Sequence, residues 1–498
     1  MSGLNEDILL SIFEELQEDS KSLFSCLMVN RLWCETVVPI LWRNPWCYSN
    51  INYANKTYLF FIIACYISVD IKEFITDRGI KLPSSSNKSL LFDYFSFCRS
   101  INVNTINNII SIGSTLAYNQ FFMQQEFYFL FMRKCPELKY FDMKSIKHQI
   151  FYFPEAMIRL ESLCELTCET STDASYFYGL TLYCQYVQKL IIFNTDPKSY
   201  YGIVRLIEVQ KNLKHFEWVD DFNDGHFTSD DHYEKVLLTL EKKAESLNYL
   251  KVFFEYMLNR DYEILQDVLS KFSKLKVLII DALLYFEDEQ VDKLQMQVYS
   301  ELELLSMNNN RIDIIYSIIE NSGSRLKEVL FRPYDAIDCD YEGFDENSLI
   351  FIRKIYENCP LIEYLSITFP SLEEHFAEFE KLLKICQNLK SLLLLIFSDI
   401  ETNEEYLKNG EILLKILTRS ASSNLKEIRI CNGIKFSLEN LEEFFEKWKG
   451  KHALSILTVD PIYLEEDYTK LINKYKSDGI IKDFKYVNHA ELDNSYTL

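Results

Sequence analysis

From residue 138 onward the apolar positions fall into one short phrase that occurs twelve times: an aliphatic residue, an apolar residue three positions later, and another two after that. The phrases begin at Leu138, Leu163, Val187, Leu213, Leu250, Leu275, Leu302, Leu326, Ile362, Leu389, Leu425 and Leu454, and only Glu255 breaks the last apolar position. The alternation that ends each phrase is that of a strand with one buried face. Between phrases the spacing becomes helical, as at 262–272, 312–319, 349–356, 376–385 and 438–448. Successive phrases begin 24 to 29 residues apart, except for three intervals of 36 or 37 residues that leave room for inserted loops. The pattern predicts an α/β solenoid in which strand and helix alternate and each unit buries its neighbour. With the fourth and sixth positions inward, the third, fifth and seventh face away from the core. They present Lys189, Ile191 and Phe193; His215, Glu217 and Val219; Val252, Phe254 and Tyr256; and Val277, Ile279 and Asp281. Apolar side chains beside acids make this face a candidate site for a segment of a target protein. The alternative is that the connector or a loop lies over the patch.

The N-terminus is patterned differently. Ile8, Leu9, Ile12, Phe13 and Leu16 recur at helical spacing, with Asn5 placed to cap and Glu6 and Asp7 in the first turn, where carboxylates favour the helix dipole. Asp19 and Ser20 open a second helix carrying Leu23, Phe24 and Leu27, and a third from Arg31 presents Leu32, Trp33, Val37, Ile40 and Leu41 before Trp42. Three helices in about 40 to 50 residues bury too little surface to cover that many large apolar groups, so some are expected to face a partner. Residues 47–132 are aromatic-rich without a clear phrase and read as a helical connector or degenerate first repeats. Within them 81–88, with Pro83 and three serines, reads as a surface loop. The repeats occupy 133–490 and a short tail 491–498.

Leu4, Ile8-Leu9, Ile12-Phe13 and Leu16, then Cys26-Leu27, Val29-Asn30-Arg31, Trp33 and Leu41-Trp42, resemble an F-box, so residues 1–46 are read as a three-helix F-box. They depart from the family where many members place proline after the first leucine; Asn5 stands there, which implies altered affinity at most. The strand–helix units behind them resemble the leucine-rich repeats of F-box proteins, in divergent form. The asparagine that closes such repeats stands at Asn310 but mostly not elsewhere. The resemblance implies a horseshoe with strands on its concave face. It also implies docking on the Skp adaptor, and through it on a cullin/RING ligase, by Leu4, Ile8, Leu9, Ile12, Phe13, Leu16, Leu27, Trp33, Leu41 and Trp42. The repeat face would then hold an unknown protein target through Lys189, Ile191, Phe193, Glu217, Phe254, Tyr256, Ile279 and Asp281, for ubiquitination by other subunits. Two readings compete: a leucine-rich scaffold whose N-terminal helices merely cap the first repeat, and an enzyme using the segment around His215 to His232.

Charge and composition narrow the field. A net charge of −22 argues against a nucleic-acid partner, which needs a basic surface to displace counterions from phosphates. The longest apolar run, 58–69, is too short to span a bilayer, and acids stand where a secretory signal would be basic, so a cytoplasmic or nuclear protein is expected. Thirteen cysteines include no C-x-x-C pair. Cys135, Cys184, Cys359 and Cys386 each stand three residues before a phrase, a recurring place that points to packing at helix ends. Cys164 and Cys168 lie within an expected buried strand. The chain has no phosphate-binding glycine loop, no G-x-S-x-G and no H-E-x-x-H, so no catalytic residue, metal or cofactor is assigned. The stretch 215–233, with three histidines and five aspartates, coincides with a long interval and reads as a solvated acidic insertion, as does 334–345.

Overall fold

The computed structural model describes residues 5–17, 19–46, 56–83, 89–196, 201–221, 233–254, 264–265, 267–281, 298–308, 311–332, 343–397, 402–431 and 433–488. The chain divides into two compact units, Met1–His232 and Tyr233–Leu498. Leu4, Tyr256, Asn310 and most of both acidic insertions lie outside the described residues.

The first unit begins with three helices, α1 (Glu6–Glu15), α2 (Ser20–Cys26) and α3 (Arg31–Arg43). Asp19 caps α2 by accepting the Ser22 N–H at 3.1 Å, and Asn30 caps α3 by accepting the Trp33 N–H at 3.0 Å. Asn5 stands at the N-cap of α1, but its side chain makes no capping bond. The connector supplies α4 (Lys56–Tyr66), α5 (Val69–Asp77), α6 (Tyr94–Phe97), α7 (Val103–Ile110) and α8 (Ala117–Lys134), and within it a strand, β1 (Ser100–Asn102). Four more follow: β2 (Tyr140–Asp142), β3 (Glu165–Glu169), β4 (Lys189–Asn194) and β5 (His215–Asp220). They pair in chain order, all parallel, with helices Ala156–Glu161, Ala174–Thr181 and Tyr201–Val209 in the crossovers. Parallel strands need crossovers of this length, and a helix buries its own apolar stripe there.

The second unit repeats the plan, among the described residues with nine strands: β6 (Tyr249–Phe253), β7 (Val277–Asp281), β8 (Leu304–Asn308), β9 (Glu328–Arg332), β10 (Tyr364–Pro370), β11 (Ser391–Phe397), β12 (Glu427–Ile430), β13 (Leu454–Thr458) and β14 (Ile481–Tyr486). These too are parallel and ordered as in the chain. Helices Ile312–Glu320, Phe344–Asn358, Glu373–Ile385, Asn403–Ser420, Leu438–Trp448 and Glu466–Ser477 fill the crossovers. Where Asn403–Ser420 passes closest to the chain after β12, Gly410 is required, since a Cβ there would lie 1.9 Å from the Lys435 carbonyl oxygen.

All twelve phrases fall on strands, but two are displaced. Leu250 pairs with Leu278 and so holds the fourth position of its repeat; the phrase begins at Leu247, three residues earlier than read from sequence. At β13, Ile428 pairs with Ile456, which slips that repeat by one residue and sends Leu457 to the opposite face. There it packs with Leu393, Leu395 and Cys431. Two further repeats flank the twelve, the first of them a degenerate repeat within 47–132. Ile101 pairs with Phe141, giving a first phrase Cys98-x-x-Ile101-x-Val103, and Phe484 pairs with Ile456, giving a last phrase Ile481-x-x-Phe484-x-Tyr486.

In the first unit a buried polar ladder runs along the eighth position of three successive repeats. The Thr170 hydroxyl donates to Asn194 Oδ1 at 3.0 Å, and Asn194 Nδ2 donates to Asp220 Oδ1 at 2.8 Å. Trp218 Nε1 also donates to that carboxylate oxygen at 2.8 Å, while Thr170 Oγ1 accepts the backbone N–H groups of Thr195 and Asp196. These side chains sit where water cannot replace a lost partner, so each rung depends on the next. Cys135, Cys184, Cys359 and Cys386 each donate their backbone N–H to a carbonyl four residues earlier, closing the preceding helix, and all four thiols are buried. Burial pushes the Cys184 and Cys386 thiols up to about 12, so they pack as small apolar groups rather than as nucleophiles.

Candidate docking surfaces

The ten residues assigned to adaptor binding divide by environment. Leu9, Phe13 and Leu41 lie in a core of the N-terminal helices that also includes Leu23, Val37 and Ile40, with Leu16, Leu27, Trp33 and Trp42 packed at its edge. The Phe13 and Trp33 rings meet edge to face, 5.2 Å apart. Ile8 and Ile12, one helical turn apart on α1, are instead 49% and 43% exposed. Met28 and Val29, in the turn before α3, are 87% and 55% exposed, and Leu10, Phe24 and Leu32 are also exposed. The sequence reading left Leu10 and Met28 unassigned. The signal for Met28 was available, because a large apolar residue in a turn between two helices serves neither helix's buried stripe.

The far end of α3 is engaged with the connector. Trp42 packs on Tyr94 with ring centres 4.6 Å apart, and Trp46 packs on Phe131 at 5.7 Å. Trp46 Nε1 donates to the Ser100 carbonyl at 3.0 Å, and the Arg99 N–H donates to the Arg43 carbonyl at 2.9 Å. Trp42 thus faces its own chain. The helices keep exposed apolar residues on α1, α2 and the turn before α3, while the C-terminal end of α3 is joined by hydrogen bonds to β1.

The second surface is the half-buried face of the strands in the first unit. Lys189, Ile191 and Phe193 on β4 alternate with buried neighbours, as do His215, Glu217 and Val219 on β5. Lys189 Nζ lies 3.3 Å from Glu165, His215 Nε2 lies 2.6 Å from Glu217, and Lys144 Nζ stands 4.3 Å from the centre of the Phe193 ring. Burial raises the Asp142 carboxyl above its ordinary range, against the pull of Lys144 at 3.8 Å. The face therefore offers an apolar step at Ile191, Phe193 and Val219 within a frame of paired charges.

In the second unit Ile279 and Asp281 hold the expected half-buried face of β7. Val252 and Phe254 do not. The three-residue displacement of that repeat turns both into the core, where Phe254 is 3% exposed and packs at a tilt on Tyr233 with ring centres 4.4 Å apart. Lys251 and Phe253 take the outward positions on β6. Phe254 occupies the eighth position, the place that Asn194 fills in the polar ladder.

Among the described residues no group of three or more His, Cys, Asp or Glu side chains is placed to hold a metal ion, and no helix is long and apolar enough to cross a membrane. The arrangement offers shape, apolar contact and charge for binding. Compared with protein-family models and with curated proteins, the chain matches none, so its α/β repeat architecture is established by its strands and helices alone.

Proposed function

We propose that this chain is the substrate-recognition subunit of a Skp/cullin/F-box ubiquitin ligase. In this reading the N-terminal helices dock on the Skp adaptor through Ile8, Ile12, Met28 and Val29, and the strand face of the repeats holds a target protein. The observation that carries the reading is the division within the module. Its core is complete, yet large apolar side chains remain at its surface, which a helical cap serving only the first repeat does not need. The chain's contribution is proximity: holding target and conjugating enzyme on one scaffold raises the local concentration of target lysines. Such a subunit works in the cytoplasm or nucleus and needs no cofactor.

The test is co-purification of the adaptor with the full-length chain and with the double variant Ile8→Asp/Ile12→Asp. Both positions are exposed, so the variant keeps its helical circular dichroism while adaptor capture falls at least tenfold. Failure of the unaltered chain to capture the adaptor refutes the ligase reading. A second reading, a repeat scaffold with an N-terminal cap, is favoured by the bonds from Arg43 and Trp46 to β1, and under it both proteins behave alike.

A further inference from the structure

The helices that cross over between β1 and β4 present large apolar side chains to solvent. These strands pair in chain order and all run parallel, so the crossovers share one hand and lie on one side of the sheet, opposite the half-buried strand face. Adjacent crossovers touch: the Phe129 ring of α8 meets Phe153 with centres 6.4 Å apart, Arg159 Nε donates to the Met132 carbonyl at 3.1 Å, and Phe151 meets Tyr176 at 5.1 Å. On the outer side of this layer Phe129, Tyr152, Met157, Ile158, Tyr178 and Leu182 are between 38% and 76% exposed. They serve no core, since the same helices bury other residues, such as Phe127, Leu160 and Phe177. Charge is nearly absent from the layer's outer side. Helix Ala174–Thr181 contains no charged residue, the Arg159 guanidinium is turned to the Met132 and Pro136 carbonyls, and Glu155 and Glu161 stand at the two ends of helix Ala156–Glu161. Among the described residues no ion pair joins α8, Ala156–Glu161 and Ala174–Thr181. In the second unit neighbouring helices are bridged instead, Arg353 to Glu374 and Glu378, Arg419 to Glu380 and Lys474 to Glu442.

We propose that this outer helical face of the first unit is the interface of a symmetric dimer, its partner a second copy of this chain. A residue of this size presents roughly 200 Å² when bare, so at these exposures the six offer about 700 Å² per copy. A pair would bury about 1,400 Å², inside the range of roughly 1,200 to 2,000 Å² for specific interfaces and above what a monomer ordinarily leaves open. Composition selects a second copy over a different protein. A two-fold interface sets one patch against its own image, and a patch rich in one sign of charge would meet like charge there. A face of aromatic, aliphatic and methionine side chains matches itself without that cost, and such residues are the ones concentrated in interface cores. The chain as a whole carries −22, so two copies repel at long range and pairing tightens as salt screens the repulsion. The contact is closed and ends at two copies. Each copy keeps its strand face, which lies on the other side of the sheet.

The experiment is sedimentation velocity of the full-length protein from about 0.5 to 50 µM. The average mass is expected to rise from one chain toward two across that range, with the dissociation constant falling at least about threefold between roughly 50 and 500 mM salt. The double variant Ile158→Glu/Leu182→Glu, changed at exposed positions, keeps its far-ultraviolet circular dichroism and pairs at least about 100-fold more weakly. Leu464→Glu, at an equally exposed apolar position in the second unit, pairs like the unaltered chain. A single-chain mass throughout the range overturns the proposal and leaves the patch to a different protein. So does pairing that survives Ile158→Glu/Leu182→Glu, pairing lost equally in Leu464→Glu, pairing that weakens with salt, or growth beyond two copies.

Discussion

Replacing Asn194 with alanine removes the middle rung of the buried polar ladder. The hydrogen bonds lost include the one accepted from Thr170 at 3.0 Å and the one donated to Asp220 at 2.8 Å. Asn194 is 0% exposed, so no water takes over either role, and the Thr170 hydroxyl and the Asp220 carboxylate each lose a partner in place. Asp220 keeps Trp218, and Thr170 keeps two backbone donors, which places the cost near the lower part of the range for a broken buried network, about 2 to 4 kcal/mol. With a urea dependence of about 2 to 3 kcal/mol per molar for a unit of this size, the unfolding midpoint should fall by roughly 1 to 2 M. Fluorescence provides the assay, because Trp218 is buried in the same ladder and reports its loss locally. Thr170→Val and the double variant complete a cycle: the double variant should cost less than the two single changes added, since both remove the same Thr170–Asn194 bond. A midpoint shift below about 0.3 M for Asn194→Ala, or simple additivity in the cycle, would refute the view that the rungs depend on one another.

Three further outcomes are expected. Phe13→Ala should cost about 3 to 5 kcal/mol in the N-terminal helices and melt them in a circular-dichroism scan, whereas Ile12→Asp, at an exposed position, should change stability by less than about 0.5 kcal/mol. In the second unit burial holds the His375 imidazole below its ordinary pKa of 6.5, against the opposing bond to the Asp345 carbonyl. The unfolded chain therefore binds its proton first, and His375 contributes stability that is present above about pH 6.5 and lost as pH falls toward the lowered folded value. His375→Gln should flatten that part of the stability profile followed by Trp448 fluorescence. Gly410→Ala drives a methyl group into the Lys435 carbonyl and should lower the melting temperature by several degrees, a cost of about 2 kcal/mol or more.

The architecture was legible where the phrase is unambiguous. At β3 the buried Leu166 and Cys168 alternate with Glu165, Thr167 and Glu169, and strand, register and half-buried face all follow from them. At β6 two phrases overlap, because Leu250 can open one or continue the other begun by Leu247; the acid at Glu255 was the sign that the second is right. At β13 the run Leu454, Ile456, Leu457 and Val459 satisfies both parities, so only pairing with β12 decides. The repeats at Cys98 and Ile481 use cysteine and aromatic residues where the eye expects leucine. The polar ladder was hidden for a different reason: threonine, asparagine and aspartate share its one position, and only their contacts show that they do one task. On α1 four apolar residues at 8, 9, 12 and 13 are equivalent by period, and packing against α3 alone sorts Leu9 and Phe13 inward from Ile8 and Ile12 outward.

The bonds from Arg43 and Trp46 to β1 bear on how this chain tolerates truncation. A parallel strand at the margin of a sheet has donors and acceptors with no neighbour, and such a margin can recruit the same strand from another copy. Here the Arg99 amide and the Ser100 carbonyl are taken up by the segment that leaves α3. Cutting the chain after residue 50 to study the repeats alone would uncover this margin, and the fragment should self-associate with increasing concentration. Selection acting on the N-terminal helices is then constrained twice, since a change that abandons whatever they bind must still leave the first strand sealed against polymerisation.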